Sequence, residues 1–366
     1  MTNPVMPDLR ALHLLPHQGV GGVQRFVIEF VRHERMDSAQ DEIVLTQRPL
    51  DVDSDFLAPA TPVHFLGQTG EKLKARARRL ADIATSRAAQ ILTVYQAQDL
   101  ALAVEAGRQA DGELKVMALL FDGPEKTEGF EGMFGKRRLS AAARSIEPFF
   151  VASPALVAPW QATGAKPEIR LAAVDIQRFH PEDVVSSWRN ARLPDPDTLL
   201  VGSLMRAEPD KGQDALIEAV NRRHEAGRPT ALMLVGDGSR FAELRSRAKD
   251  SPSLFVRRRV LDSPGFFGRI DAFALHSATE RVPMSLIEAL ACGRAATVAD
   301  PGGVAELVGQ DAALFTPPGD IDAVVAALDK LADPEFRQAL GETARKRALE
   351  RHSLGRLRAQ LAENYA

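Results

Sequence analysis

Ala272-Phe-Ala-Leu-His-Ser-Ala-Thr-Glu280-Arg-Val-Pro-Met-Ser-Leu-Ile-Glu288-Ala-Leu-Ala-Cys-Gly293 reads as a strand, its exit loop and a helix. Ala272–Ser277 is a short apolar run, and Ala278-Thr-Glu280 leaves its carboxyl end. Pro283 suits the first helical position, where its missing N–H costs nothing. Gly293 suits a C-terminal cap, so a helix is expected over Pro283–Cys292. The backbone of Pro283, Met284 and Ser285 at its start is expected to hold phosphate oxygens. Glu280 lies just before this helix and Glu288 about a turn and a half inside it. One carboxylate is placed for sugar hydroxyls and the other for a ribose diol. The same two acids also suit an ordinary helix start and its dipole, so neighbouring segments must decide.

Outward from this stretch, short apolar runs alternate with amphipathic ones along all 366 residues. Strands are expected at Leu9–Leu15, Glu42–Thr46, Pro62–Leu66, Gln90–Tyr95, Lys115–Phe121 and Pro148–Ala152. A second series is expected at Thr198–Gly202, Ala231–Val235, Leu254–Val260, Ala272–Leu275, Ala295–Ala299 and Ala313–Phe315. Helices such as Val23–Arg35, Asp214–Ala226 and Ile321–Leu331 separate them. This alternation implies α/β architecture with doubly wound parallel sheets. A chain this long exceeds one ordinary core. Prolines among acids at Asp175–Asp183 and Leu193-Pro-Asp-Pro-Asp197 mark a linker. The expected division is 1–175, 176–350 and a C-terminal helix at 351–366 that crosses back to the first domain.

Composition narrows the function. A net charge of -3 with 26% charged residues lacks the basic excess of a nucleic-acid binder. A single cysteine, Cys292, excludes an intramolecular disulfide and a cysteine-rich zinc site, and suits a reducing, cytoplasmic setting. No signal sequence and no apolar run long enough to span a membrane is present. The eight histidines show no metal spacing. No P-loop occurs, and Gly19-Val-Gly21-Gly22 lacks dinucleotide-binding spacing. Asp51-Val-Asp53-Ser-Asp55 reads as a solvated acidic loop rather than a metal motif.

In open sheets, ligands bind beyond the carboxyl ends of strands, so with two such domains the site is expected in a cleft between them. Several strand exits carry suitable groups: Gly21-Gly22, Arg206-Ala-Glu-Pro-Asp-Lys211-Gly212, Val235-Gly236-Asp-Gly238 and Gly302-Gly303-Val-Ala-Glu306. Together with Glu280 and Glu288-Ala289, these segments resemble the retaining family 4 of glycosyltransferases, which has the GT-B fold of two Rossmann-like domains. The resemblance is dense over about residues 198–345 and thin over 1–170. It implies that Glu280 binds the donor sugar and Glu288 the ribose, while Arg206 and Lys211 meet the diphosphate. Two fixed cations stabilise charge building on leaving phosphates. Gly21, Gly22, Gly236, Gly302 and Gly303 are expected to let backbone approach the donor.

The resemblance further implies transfer, with retention, of a hexose from a nucleotide sugar to a glycan, lipid-linked or small-molecule acceptor, as in polysaccharide biosynthesis. It implies no metal and no cofactor, with the acceptor held mainly by the first domain. Two departures stand out. Ser203-Leu204-Met205 separates Val201-Gly202 from Arg206, and Phe121 stands where the family often has a histidine, leaving Asp122 as the polar candidate nearby. Basic stretches at Glu71–Arg79 and Gly135-Lys-Arg-Arg138 suit solvated helix faces or peripheral contact with anionic lipid. A non-catalytic or regulatory relative and a sugar-nucleotide epimerase remain as alternatives.

Overall fold

A computed structural model describes residues 10–16, 21–35, 41–46, 62–67, 71–110, 114–125, 132–181, 195, 197–258 and 263–364. The acidic Asp51–Asp55 loop, Leu9, Val260 and most of the expected linker lie outside the described residues. The chain divides into two compact units, Met1–Asp175 with Leu354–Ala366, and Ile176–Ser353.

The first unit holds a sheet of β1 (Ala11–Leu15), β2 (Glu42–Leu45), β3 (Val63–Phe65), β4 (Ile91–Val94), β5 (Lys115–Leu120), β6 (Phe149–Val151) and β7 (Glu168–Ile169). Every pairing is parallel, in the order β3-β2-β1-β4-β5-β6-β7. Helices α1 (Gly22–Arg35), α2 (Leu73–Ser86), α3 (Leu100–Gln109), α4 (Gly132–Arg144) and α5 (Val157–Gln161) alternate with the strands. The central strands are mostly apolar because helices bury both faces of a parallel sheet. His13 in β1 and Thr93 in β4 are buried polar exceptions; His13 meets Tyr95 Oη at 2.6 Å and Asp41 at 3.1 Å. The last helix, α13 (Leu354–Ala362), belongs to this unit; Leu354 N–H donates to Val174 O at 3.2 Å, and Lys115 Nζ to Asn364 O at 3.0 Å.

The second unit holds β8 (Leu199–Leu204), β9 (Thr230–Val235), β10 (Leu254–Arg257), β11 (Ala272–Leu275), β12 (Ala295–Ala299) and β13 (Leu314–Thr316). Its order is β10-β9-β8-β11-β12-β13, again all parallel. Its helices are α6 (Gln213–Glu225), α7 (Phe241–Arg247), α8 (Ser263–Arg269), α9 (Met284–Ala291), α10 (Val304–Val308), α11 (Ile321–Ala332) and α12 (Pro334–Arg351). Val201, Leu232, Ala272 and Ala274 of the sheet form a core with Leu216 and Val220 of α6 and Val324 and Leu328 of α11. Each such leucine contributes roughly 1.5–3 kcal/mol by leaving water. On β8, Gly202 meets Phe266 and Ile270, which a Cβ there would approach within 2.8 Å. Gly202 is therefore a packing glycine inside the strand, and β8 runs on to Leu204 instead of ending at Gly202.

The other expected strands occur, most within a residue at their ends; β1 is described from Ala11 and β10 only to Arg257, short of the expected Leu9 and Val260, and the two-residue edge strand β7 is an addition. Three local expectations change. Pro283 caps α9 from outside rather than occupying its first turn. Gly135-Lys-Arg-Arg138 lies inside α4 instead of leading into a helix. In α2, Arg76 donates to Thr46 O at 2.7 Å and Arg79 to Leu66 O at 2.9 Å, so part of that basic face ties down strand exits. Among the described residues, no helix is long and apolar enough to cross a membrane.

Candidate active site

In both sheets the chain winds outward in opposite directions from a central pair, β1 and β4 in the first and β8 and β11 in the second. Such a switch point opens a crevice at the carboxyl ends of the two strands. In the second unit, the β8 exit supplies Arg206–Gly212 and the β11 exit supplies His276–Glu280. Lys211 Nζ lies 3.0 Å from Glu280 Oε2, 3.4 Å from Ser277 Oγ and 3.6 Å from Asp210 Oδ2. The Lys211 side chain is 5% exposed, against 26% for Glu280. A buried ammonium needs such partners, because desolvating an unpaired charge costs several kcal/mol. The cation and the carboxylate expected on opposite parts of a donor thus meet across the switch point.

The backbone fits this meeting closely. Gly212 adopts φ +70°, and a Cβ there would sit 2.0 Å from His276 O. A Cβ on Gly236 would sit 1.7 Å from Met205 O, and one on Gly238 would sit 2.5 Å from Ala207 O. The turn after β9 therefore lies flat against the Arg206 loop. Glu208 locks the two together, accepting from Ser239 Oγ at 2.5 Å and Ser239 N–H at 3.2 Å, and these bonds hold its carboxyl below the usual range. Gln213 Nε2 donates to Arg206 O at 2.8 Å. The Arg206 side chain is exposed at this exit. Burial pushes the Asp210 carboxyl up, but the Thr279 hydroxyl and the Lys211 and Arg206 charges outweigh it and hold the group ionised.

The helix starts offer fewer donors than the sequence suggests. Pro283 has no N–H, the Met284 N–H is taken by Val282 O, and the Leu286 N–H by Pro283 O. Ser285 N–H is the first-turn donor of α9 that meets no acceptor among the described residues. At α10, Asp300 accepts from Gly302 N–H at 2.8 Å, Val304 N–H at 3.0 Å and Ala305 N–H at 3.1 Å. Gly302 and Gly303 are needed for their left-handed φ of +117° and +100°. Glu288 is 2% exposed within the apolar α9. A carboxylate that deep is kept only where it has partners. His276 is buried between Thr297 Oγ1 at 3.3 Å and Thr316 Oγ1 at 3.4 Å, and burial lowers its pKa to about 4, so it is neutral.

Gly21 and Gly22 belong to the first unit, at the exit of β1. Gly21 O accepts from Arg25 N–H at 3.0 Å, opening α1. Phe121 is 6% exposed and packs on Phe26 at 4.7 Å between ring centroids, so this position serves an aromatic core. Asp122 Oδ1 accepts from Ala97 N–H at 2.9 Å, and Asp122 O from Trp160 Nε1 at 2.9 Å. Among the described residues, no group of three or more histidine, cysteine or acidic side chains is placed to hold a metal.

Residues 185–347 match the family described as glycosyl transferases group 1. This span is somewhat less than half of the chain and takes in most of the second unit. The chain is 31% identical over 207 residues to the GDP-mannose-dependent alpha-(1-6)-phosphatidylinositol monomannoside mannosyltransferase of Mycolicibacterium smegmatis, covering 52% of this chain and 53% of the relative. It is 29% identical over 188 residues to a GDP-mannose-dependent monoacylated alpha-(1-6)-phosphatidylinositol monomannoside mannosyltransferase of Corynebacterium glutamicum, covering 48% and 49%. The chain thus spans about half the length of these curated relatives. The crystal structure of Anabaena Alr3699/HepE in complex with UDP-glucose superposes with a TM-score of 0.80 at 19% identity, covering 98% of this chain and 99% of that one. The fold is GT-B, with two Rossmann-like domains.

Proposed function

We propose that this chain is a glycosyltransferase that moves a hexose from a nucleotide sugar to a glycan, lipid-linked or small-molecule acceptor, with retention. The observation that carries the reading is the meeting of Lys211 and Glu280 at the β8–β11 switch point, with Arg206 exposed on the same exit. Arg206 and Lys211 face the diphosphate and stabilise the charge that develops as the glycosidic bond breaks. Glu280 accepts from sugar hydroxyls, Glu288 serves the ribose, and Ser285 N–H adds a phosphate donor beside them. Gly236 keeps the turn after β9 close to the donor, and the first unit takes the acceptor, with Gly21 and Gly22 at its β1 exit. The M. smegmatis and C. glutamicum relatives use GDP-mannose and HepE binds UDP-glucose, which supports a nucleotide-sugar donor. Exposed Lys136, Arg137 and Arg138 of α4 supply charge for contact with anionic lipid around a lipid-linked acceptor.

No metal or cofactor enters this scheme, since side-chain cations meet the phosphates. Release of nucleoside diphosphate from GDP-mannose and UDP-glucose, with water taking the sugar where no acceptor is added, tests it. At least one donor is expected to be consumed at an unchanged rate in EDTA, and Glu280→Ala is expected to slow release by about 100-fold or more. Full activity in Glu280→Ala, or loss of activity with EDTA, contradicts the scheme. The burial of Phe121 favours a second reading, a chain that binds nucleotide sugar without turnover. Binding of both donors with no release of diphosphate would select it.

A further inference from the structure

The two exits that form the donor site are held together by something other than the sheet. β8 and β11 pair only at Ala272–Val201 and Phe273–Gly202. Beyond that point β8 continues along β9 to Leu204, and β11 continues along β12 to Leu275. The gap is closed by single bonds. Ser203 Oγ donates to Ala274 O at 2.6 Å, just past the last paired residues. Farther out, Asp210 O accepts from Ala278 N–H at 3.1 Å and from Ser277 Oγ at 3.4 Å. At the mouth, Thr279 Oγ1 donates to Asp210 Oδ2 at 2.5 Å. Thr279 and Asp210 immediately precede Glu280 and Lys211, so this bond ties together the neighbours of the two donor-site residues, beside the Lys211–Glu280 pair itself.

We propose that Asp210 and Thr279 form a clamp that fixes the spacing of Lys211 and Glu280, with the Thr279 hydroxyl as a positioning group for sugar transfer. Resting on the reading of Lys211 and Glu280 as donor-site residues, it assigns new roles to their neighbours. Without the clamp, the two exits keep their inner bonds and the flexible Lys211–Glu280 pair, but lose the bond that fixes the loops just before that pair. Lys211 and Glu280 then no longer hold one geometry against a donor whose sugar and diphosphate must be gripped together. A misplacement of about 1 Å at such a site is enough to slow chemistry by about 100-fold. The acceptor is charged, which strengthens a hydroxyl hydrogen bond, although both partners reach the surface, so the bond acts by setting geometry.

The test is release of nucleoside diphosphate from GDP-mannose and UDP-glucose by the full chain and its variants, with melting temperatures measured alongside. Thr279→Val keeps the shape and removes the hydroxyl. It is expected to lower kcat by about 10- to 100-fold, with a smaller change in donor KM and a melting temperature within about 2 °C of wild type. Thr279→Ser restores the hydroxyl and is expected to recover most of the lost kcat. The double variant Asp210→Ala/Thr279→Val is expected to be no slower than Asp210→Ala alone, because both changes remove the same bond. Wild-type kcat in Thr279→Val, failure of Thr279→Ser to recover, or additive losses in the double variant overturn the clamp. Glu280→Ala separates the two levels. If it is inactive while Thr279→Val is normal, the clamp alone fails; if Glu280→Ala is fully active, or wild type consumes neither donor, the donor-site reading fails and the clamp with it.

Discussion

Lys211 and Glu280 were each legible as candidates because the residues around them, Arg206 to Gly212 and Glu280 to Ala289, have recognisable spacing, but their meeting was not. Glu208, Asp210, Thr279 and Asp300 were not. The bond of Thr279 to Asp210 joins residues 69 positions apart, and no local pattern encodes it. Asp300 had a signal, a short acid ahead of a helix start, which is how capping residues announce themselves. Asp99 is a further residue that only the fold exposes. It is 5% exposed, it accepts from Thr46 Oγ1 at 3.2 Å, and its Oδ2 has no partner among the described residues. Burial pushes its carboxyl up from 3.8 to about 7, against the pull of the Thr46 bond and the Arg76 charge. Between those pH values the folded chain holds a proton that the unfolded chain has released, so the Asp99 contribution to stability falls as pH rises through the window and is lowest above it. The whole window is worth at most roughly 4 kcal/mol. Asp99→Asn is therefore expected to raise the melting temperature relative to wild type more at pH 8 than at pH 4. An offset that does not change with pH contradicts this.

Elements were legible where burial is two-sided. Strands of a parallel sheet covered on both faces are plain apolar runs, and β1, β4, β5, β9, β11 and β12 fall where such runs occur. β7 was missed because two exposed residues at a sheet edge make no pattern. Gly202 misled the reading of β8, since a glycine in a strand can end it or admit a neighbour, and only Phe266 and Ile270 show which. α9 was placed well, but its start offers fewer donors than a helix N-terminus normally does, because a proline and a tight turn consume all but Ser285 N–H among the described residues. Gly212 shows how closely the exits fit. Gly212→Ala faces both φ +70° and a carbonyl 2.0 Å away, whereas Gly227 has φ +71° with nothing within 4 Å. Gly227→Ala is expected to cost about 1 kcal/mol from backbone conformation alone. Gly212→Ala is expected to cost about 2–3 kcal/mol or more and to weaken nucleotide binding. Equal losses in the two variants, by chemical denaturation, contradict the close approach.

At the scale of the molecule, two sheets wound in the same order lie in two units, and the end of the chain returns as α13 to the first. Strand and helix alternation made the doubly wound sheets legible. The proposed division of labour rests on where the motifs cluster: the family match covers 185–347, and the Arg206, Lys211, Glu280 and Glu288 positions all fall inside it. What the first unit recognises was less legible, because its strand exits carry Phe121 and Asp122 in structural roles. The central claim is that the second unit grips a nucleoside diphosphate at the β8 and β11 exits. Calorimetric titration of the wild-type chain and of Arg206→Ala and Lys211→Ala with GDP and with UDP tests it most directly. Wild type is expected to bind at least one of them, with each substitution weakening that binding at least about tenfold, the loss of one charge-assisted contact. Binding of neither nucleotide by wild type, or equal affinity in all three proteins, would contradict it.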